Sequence, residues 1–489
     1  MSSPLELCGV VERFIAGAAQ TALLDPGEQP LRLIFEHWNI GEWNGRVVLQ
    51  AWDDQRNLAC RITGIKAQRH DRLSLFTERF PKTQGEVQIA DLAAPEGIEM
   101  ERRGSRLAFR ERFRFMLVRE FPDTRVEEVS SDPNLEASLG PSYVRAFLRC
   151  GSSGIAAMGA PPGSSDYAGV LASGLIWLDY LRRREKKIRI RRLILFCPMQ
   201  CERDTAFRAA LLNPAAVDCT VCVFDERDRT GPVDFADAGN IDSTLPPCRR
   251  PVAPNSDPSA IPEMAGVDRV EQSDGAVSLR VRGLEFARWS AGKLTCGIAR
   301  RKRCTMETAI AMAREVVRVR CETTEDRLHP LYTQFPEGWL ESAVRARPGV
   351  IDASLLPAPI YGQVPIFGGP DRGVIDLLGV DHTGRLVVVE LKAAADLQLP
   401  FQALDYWLRV RKHLAAGDFT RLGYFPGITV RPDPPRILLV APALEFHSTS
   451  EAMIGYLNPE IEITRVGLAA DWRRELRVMF RLRGSERPV

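Results

Sequence analysis

The chain has 489 residues, a formal net charge of +2, 45% hydrophobic residues and 26% charged residues. That length predicts three or four domains, and the composition is that of a soluble globular protein. It excludes a long bilayer-spanning segment, and the near-balance of charge restricts any polyanion-binding role to a local basic surface.

In chain order, MSSPLELCGVVERF has no basic leader and carries Glu6 and Glu12. It therefore does not read as a secretory signal. No membrane partner and a cytoplasmic location are expected, with reduced cysteines. Residues 1–105 read as a β-rich leader. In residues 106–244 a helix is expected over Phe109–Phe121. A hairpin follows from Tyr143–Cys150 and Gly154–Gly159, then a helix over Ala168–Arg184 and a strand over Leu193–Cys197. The proline-rich stretch 245–262, LPPCRRPVAPNSDPSAIP, reads as a linker. Residues 263–330 read as a second β-rich leader. In 331–489 the expected elements are a helix over Trp339–Arg347, strands over Gly373–Gly379 and Leu386–Leu391, and a DHTG turn over Asp381–Gly384. A helix over Pro400–His413 and a strand over Arg436–Ala441 follow.

The two halves echo one another in order. LIFEHWNIG (Leu33–Gly41) matches LEFARWSAG (Leu284–Gly292). RLILFCP (Arg192–Pro198) matches RILLVAP (Arg436–Pro442), and LNPAAVDCTVCVF (Leu212–Phe224) matches LNPEIEITRVGLA (Leu457–Ala469). The collinearity points to a tandem duplication.

Chemistry concentrates in the second half. Asp376 falls on one strand, and Glu390 and Lys392 on the next. Residues two apart in a strand share a face, and the hairpin folds Asp376 back beside Glu390. Two carboxylates and the backbone carbonyl of Leu391 form a hard oxygen donor set suited to Mg²⁺ or Mn²⁺. A Val-rich strand rarely retains both a glutamate and a lysine without a use.

Asp376 followed by Glu390-Leu391-Lys392 resembles the D…(D/E)xK signature of the PD-(D/E)XK nucleases. Gln402-Ala-Leu-Asp-Tyr406 resembles the QxxxY motif of the RecB-like, NucS-like branch, and Glu341 resembles the acidic residue on the first helix of such domains. Ile375 replaces the proline of "PD". The resemblance covers about residues 337–480. It implies an α/β (α+β) restriction-endonuclease-like α/β/α unit and Mg²⁺- or Mn²⁺-dependent endonucleolytic hydrolysis of DNA. Asp376, Glu390 and the Leu391 carbonyl would hold the metal, with Glu341 at a second one. Lys392 would act on the attacking water or the phosphate, Gln402 would position substrate, and Tyr406 would contact nucleic acid. The alternative is a catalytically inactive nucleic-acid-binding or regulatory protein on the same fold.

Alignment of the halves sets Arg145 opposite Asp376, Met158 and Ala160 opposite Glu390 and Lys392, and Ala172 opposite Gln402. Phe115 or a neighbour stands at the Glu341 position. The first unit is therefore expected to be inactive. Its run LRRREKKIRIRRL has eight basic residues against one acid, and Arg182, Arg183, Arg184, Lys186 and Lys187 are candidates for phosphate contact. Arg300, Arg301, Lys302 and Arg303 form a second basic patch. With one active unit per chain, paired nicks would require a homodimer. The Cys197, Cys201, Cys219 and Cys222 spacing could suggest zinc, but the second half closes without counterparts. No nucleotide cofactor is expected, since no Walker loop occurs.

Overall fold

The computed structural model describes residues 4–486, except 19, 26–29, 35–36, 44–45, 53–56, 80–82, 94, 165, 236–242, 249–262, 272–275, 299 and 369–370. Most of the proline-rich linker thus lies outside the described residues. The chain is a mixed α/β protein of two compact units, Met1–Thr205 with Cys219–Val233, and Ala206–Asp218 with Asp234–Val489. No helix among the described residues is long and apolar enough to cross a membrane.

The first unit opens with helix α1 (Pro4–Gly17) and a seven-stranded sheet. Its strands are β1 (Thr21–Leu24), β2 (Leu31–Arg32), β3 (Trp38–Trp43), β4 (Arg46–Trp52), β5 (Asn57–Gln68), β6 (Arg72–Arg79) and β7 (Thr83–Asp91), in the order 2-1-7-6-5-4-3. Helix α2 (Pro95–Glu120) runs without a break across residue 105, where the sequence suggested a domain boundary. A six-stranded sheet follows: β8 (Arg125–Ser130), β9 (Val144–Cys150), β10 (Ser153–Gly159), β11 (Arg189–Pro198), β12 (Asp218–Phe224) and β13 (Thr230–Pro232), in the order 13-12-11-10-9-8. Helix α3 (Gly169–Arg184) connects β10 to its parallel neighbour β11, and the short α4 (Arg203–Ala209) follows.

In the second unit, β14 (Asp268–Glu271), β15 (Val277–Val281), β16 (Leu284–Ser290), β17 (Lys293–Cys296) and β18 (Lys302–Arg303) form a five-stranded meander. Its apolar face packs on α5 (Met306–Val319) through Leu279, Phe286, Ala313 and Val316. Helices α6 (Pro330–Thr333) and α7 (Pro336–Ala346) lead into the second six-stranded sheet. That sheet comprises β19 (Tyr361–Gly368), β20 (Asp371–Val380), β21 (Leu386–Leu391), β22 (Arg436–Pro442), β23 (Ile463–Leu468) and β24 (Val478–Arg483), in sequential order. Helix α8 (Leu399–Ala415) connects β21 to its parallel neighbour β22.

Strand β21 is buried along its whole length because helices cover both faces of the sheet. Val387, Val389 and Leu391 pack with Trp339 and Val344 of α7. Leu386 and Val388 pack with Val410 of α8.

The two six-stranded sheets share their strand order, with an antiparallel hairpin followed by a parallel strand reached through a helix. The matched segments at Arg192 and Arg436 fall in β11 and β22, and both LNP segments lead into the next strand. The third match fails. Leu284–Ser290 is a single strand, whereas Leu33 and Ile34 precede β3, which begins only at Trp38. Phe35 lies outside the described residues. The linker is pinned at its start: Leu245 is buried in the core beside Phe419, and Tyr424 donates to the Pro246 carbonyl (3.0 Å). The cysteines are not all reduced, since Cys296 and Cys304 form a disulfide while the remaining nine are free.

Candidate active site

The β20–β21 register pairs Leu377 with Val389, which carried one residue further sets Asp376 across from Glu390. The Leu391 amide donates to Asp376 Oδ2 (2.8 Å), so the aspartate is fixed by the neighbouring strand. Glu390 is 3% exposed, and its Oε2 has no hydrogen-bond partner. Lys392 Nζ lies 3.6 Å from Glu390 Oε1, 3.8 Å from Asp396 Oδ2 and 3.9 Å from Glu337 Oε1. The structure therefore brings Asp376, Glu390 and Lys392 together.

Glu341, on α7, is likewise 3% exposed. Its Oε1 lies 3.5 Å from Arg345 Nη1 without a hydrogen bond. Gln402 on α8 has a buried Oε1 with no partner. Tyr406, one turn on, feels the charges of Glu390 and Asp376.

The electrostatics are those of carboxylates crowded out of water. Burial pushes Asp376 up to about 6, against the pull of the Leu391 amide and Lys392. Burial and the Asp376 charge raise Glu390 well above the usual carboxylate range. Burial also raises Glu341. Burial opposes the Lys392 ammonium, yet Glu390, Glu337, Asp396 and Asp376 outweigh it and raise its pKa. Burial, then Glu390 and Asp376, push Tyr406 up to about 12. Such a group of strongly perturbed carboxylates is a functional-site signature.

Sequence reasoning missed three participants. Glu337 lies one helical turn before Glu341, and Asp396 four residues after Lys392; both spacings were open to view in the sequence. Gln363 carried no such signal. It sits on β19 between the pairs Gly362–Leu377 and Val364–Ile375, and so opposite Asp376. Its backbone is left-handed (φ 51°). Its amide donates to Asp376 Oδ1 (3.4 Å). A non-glycine residue in that conformation costs about 1–3 kcal/mol and concentrates at functional sites.

A divalent cation fits the donors present. Among the described residues no three His, Cys, Asp or Glu side chains are grouped to hold a metal ion. The donors are all oxygen, the preference of Mg²⁺ and Mn²⁺. Glu390 Oε2, Glu341 Oε1 and Gln402 Oε1 are buried and unpartnered, a state that is costly unless something else satisfies it.

The same positions of the first six-stranded sheet hold no such set. Arg145 pairs across the strands with Met158. The Arg145 guanidinium is buried, donates to the Asp132 carbonyl (2.6 Å) and lies over the Trp177 ring. Ala160 donates to the Phe196 carbonyl as Lys392 does to that of Val440. Ala172 is buried on α3, and Phe115 is exposed on α2.

Several of the basic candidates are engaged within the fold. Arg182 donates to the Ile190 carbonyl (2.7 Å) and Arg183 pairs with Asp179 (3.1 Å). Arg184 pairs with Glu128 and Glu185 (2.9 Å each) and lies over Trp177 and Tyr180. Lys186 and Lys187 are exposed. Arg301 pairs with Glu285 (2.5 Å), whereas Arg300, Lys302 and Arg303 are exposed.

No protein-family model matches this chain, and no curated protein matches its sequence.

Proposed function

We propose that this chain is a metal-dependent nuclease that hydrolyses DNA phosphodiester bonds. It would be a tandem duplication in which the second restriction-endonuclease-like unit is active and the first is a degenerate copy. The observation that carries the reading is Glu390, 3% exposed, with one carboxylate oxygen unpartnered and a lysine ammonium 3.6 Å from the other. A structural ion pair has no need to leave a buried oxygen unsatisfied.

Asp376, Glu390 and the Leu391 carbonyl would hold Mg²⁺ or Mn²⁺, with Glu341 available to a second ion. When bound, such a cation supplies Lewis acidity at a phosphoryl oxygen and lowers the pKa of water. Lys392 offsets negative charge as water oxygen bonds to phosphorus and the bond to the leaving oxygen breaks. Glu337 and Asp396 keep its ammonium protonated and restrict where it can point. The free Gln402 oxygen accepts a hydrogen bond from water or substrate, and Tyr406 walls the site. One active unit per chain makes a single nick, so double-strand breaks would require a homodimer.

Incubation of plasmid and single-stranded DNA with Mg²⁺ or Mn²⁺ tests this. The wild type should cut, and Lys392→Ala should lose at least a hundredfold in rate. Absence of cutting in either metal would leave a non-catalytic nucleic-acid-binding protein on this fold.

A further inference from the structure

Residues 206–218 come from the first half of the sequence but belong to the second compact unit. Two copies of the triplet Leu-Asn-Pro hold them there. The Asn213 amide donates to the Tyr456 carbonyl (2.8 Å), the Asn458 amide donates to the Leu211 carbonyl (2.9 Å), and Leu212 bridges Leu457 as an antiparallel pair. Each asparagine also folds its own corner, Asn213 Oδ1 accepting from the Ala215 amide (3.0 Å) and Asn458 Oδ1 from the Glu460 amide (3.1 Å). Leu212 and Leu457 are both buried. The amides of Leu211 and Leu212 donate back to the Arg208 and Ala209 carbonyls (3.1 Å each), so the anchored corner is continuous with the last turn of α4.

From that turn Arg208 reaches α8. Its Nε donates to Asp405 Oδ1 (3.0 Å), its Nη2 to Asp405 Oδ2 (2.7 Å), and the guanidinium lies over the Phe401 ring, 5.6 Å from the centroid. Arg208 is 8% exposed. Asp405 stands between two residues of the candidate site, three after Gln402 and one before Tyr406. Gln402 keeps a buried oxygen without a partner. Tyr406 seats the helix on β20, where a Cβ on Gly373 would lie 3.0 Å from the tyrosine ring. Burying a guanidinium is costly, and an apolar pair of similar size often stabilises as well or better. What a forked arginine–carboxylate pair adds is fixed geometry. Here it is fixed on the helix that carries Gln402 and Tyr406.

We infer that Arg208 is a positioning residue: its fork on Asp405 sets the rotation and height of α8, and so aims Gln402 and Tyr406 at the carboxylates of Asp376 and Glu390. Its part in cleavage rests on the nuclease reading; its hold on α8 does not. The first half of the sequence, without the carboxylate set itself, thereby contributes a residue on which the site in the second half depends.

Hydrogen exchange read by mass spectrometry and plasmid cleavage, both on the full chain, provide the test. In Arg208→Ala the amides of residues 403–409 should exchange about tenfold faster, with those of β20 and β21 unchanged. The cleavage rate should fall about tenfold to hundredfold, the scale of a misplacement of about 1 Å. Mn²⁺ affinity by calorimetry should stay as in the wild type, since Asp376 and Glu390 stand on β20 and β21. Arg208→Lys, which keeps the charge but not the fork, should recover only part of the loss. Asp405→Asn, a milder change at a partly exposed carboxylate, should move both readouts the same way and serves where Arg208→Ala does not fold. Wild-type exchange in α8, or equal loosening of β20 and β21, would overturn the inference. So would cleavage at the wild-type rate by a variant whose α8 is loosened. Faster exchange confined to α8 in a chain that cuts DNA in neither metal would leave the hold on the helix standing and remove the nuclease reading.

Discussion

Asp376→Asn should make the metal-free protein more stable while destroying its metal response. Burial lifts the Asp376 carboxyl from its ordinary 3.8 to about 6. A shift of about two units corresponds to ~3 kcal/mol. Because the folded pKa is raised, the unfolded chain releases this proton first as pH climbs. The favourable contribution of the protonated form is complete below about pH 4 and is lost progressively as pH rises through 6. At pH 8 the wild type therefore carries an ionised, buried carboxylate at nearly the full cost. Asparagine is isosteric and neutral. Its oxygen can still accept from the Leu391 amide, and Gln363 can turn its own amide to face the new NH₂ group. Thermal melts in EDTA at pH 8 should show a gain of up to about 3 kcal/mol, roughly 2–4 °C per kcal/mol in a unit of this size. At pH 4 the gain should nearly vanish. Mn²⁺ should raise the melting temperature of the wild type but not of the variant. Destabilisation at pH 8, or equal gains at both pH values, would refute the idea that Asp376 is held in a strained, ligand-ready state.

Two further outcomes follow from the same geometry. Gln363→Gly should leave metal-free stability unchanged or raise it by about 1 kcal/mol, since glycine adopts φ 51° without strain. It should weaken Mn²⁺ binding several-fold by calorimetry, and a loss of stability with unaltered metal affinity would make Gln363 a packing residue. Metal affinity should rise with pH from 5 to 7.5, with protons released on binding, because Asp376 and Glu390 must ionise first; calorimetry in buffers of differing ionisation enthalpy measures this, and pH-independent binding would contradict it.

Much of the second six-stranded sheet was legible in the sequence because its signals are local. The apolar run Leu386–Leu391 is bounded by a DHTG turn, and the strand occupies those residues. The spacing of Glu390 and Lys392 was equally readable. Gln363 was not, because its role depends on a left-handed backbone inside a strand, which glutamine does not advertise. The α2 boundary was misplaced because a helix of weak amphipathicity gives little sign of where it starts. The likeness of Leu33–Gly41 to Leu284–Gly292 shows the opposite failure: similar residues lie in different local structure, since tertiary pairing decides where a strand begins. The Cys296–Cys304 disulfide depended on β17 and the turn before α5 meeting at a Cα separation of 5.8 Å, which sequence separation alone does not encode.

A crystal of the full chain soaked in Mn²⁺ and measured for anomalous scattering bears most directly on the site. An ion bound by Asp376, Glu390 and the Leu391 carbonyl is the expected result, absent from Glu390→Gln. A well-ordered site with no anomalous peak at saturating Mn²⁺, or a peak that persists in that variant, would contradict it.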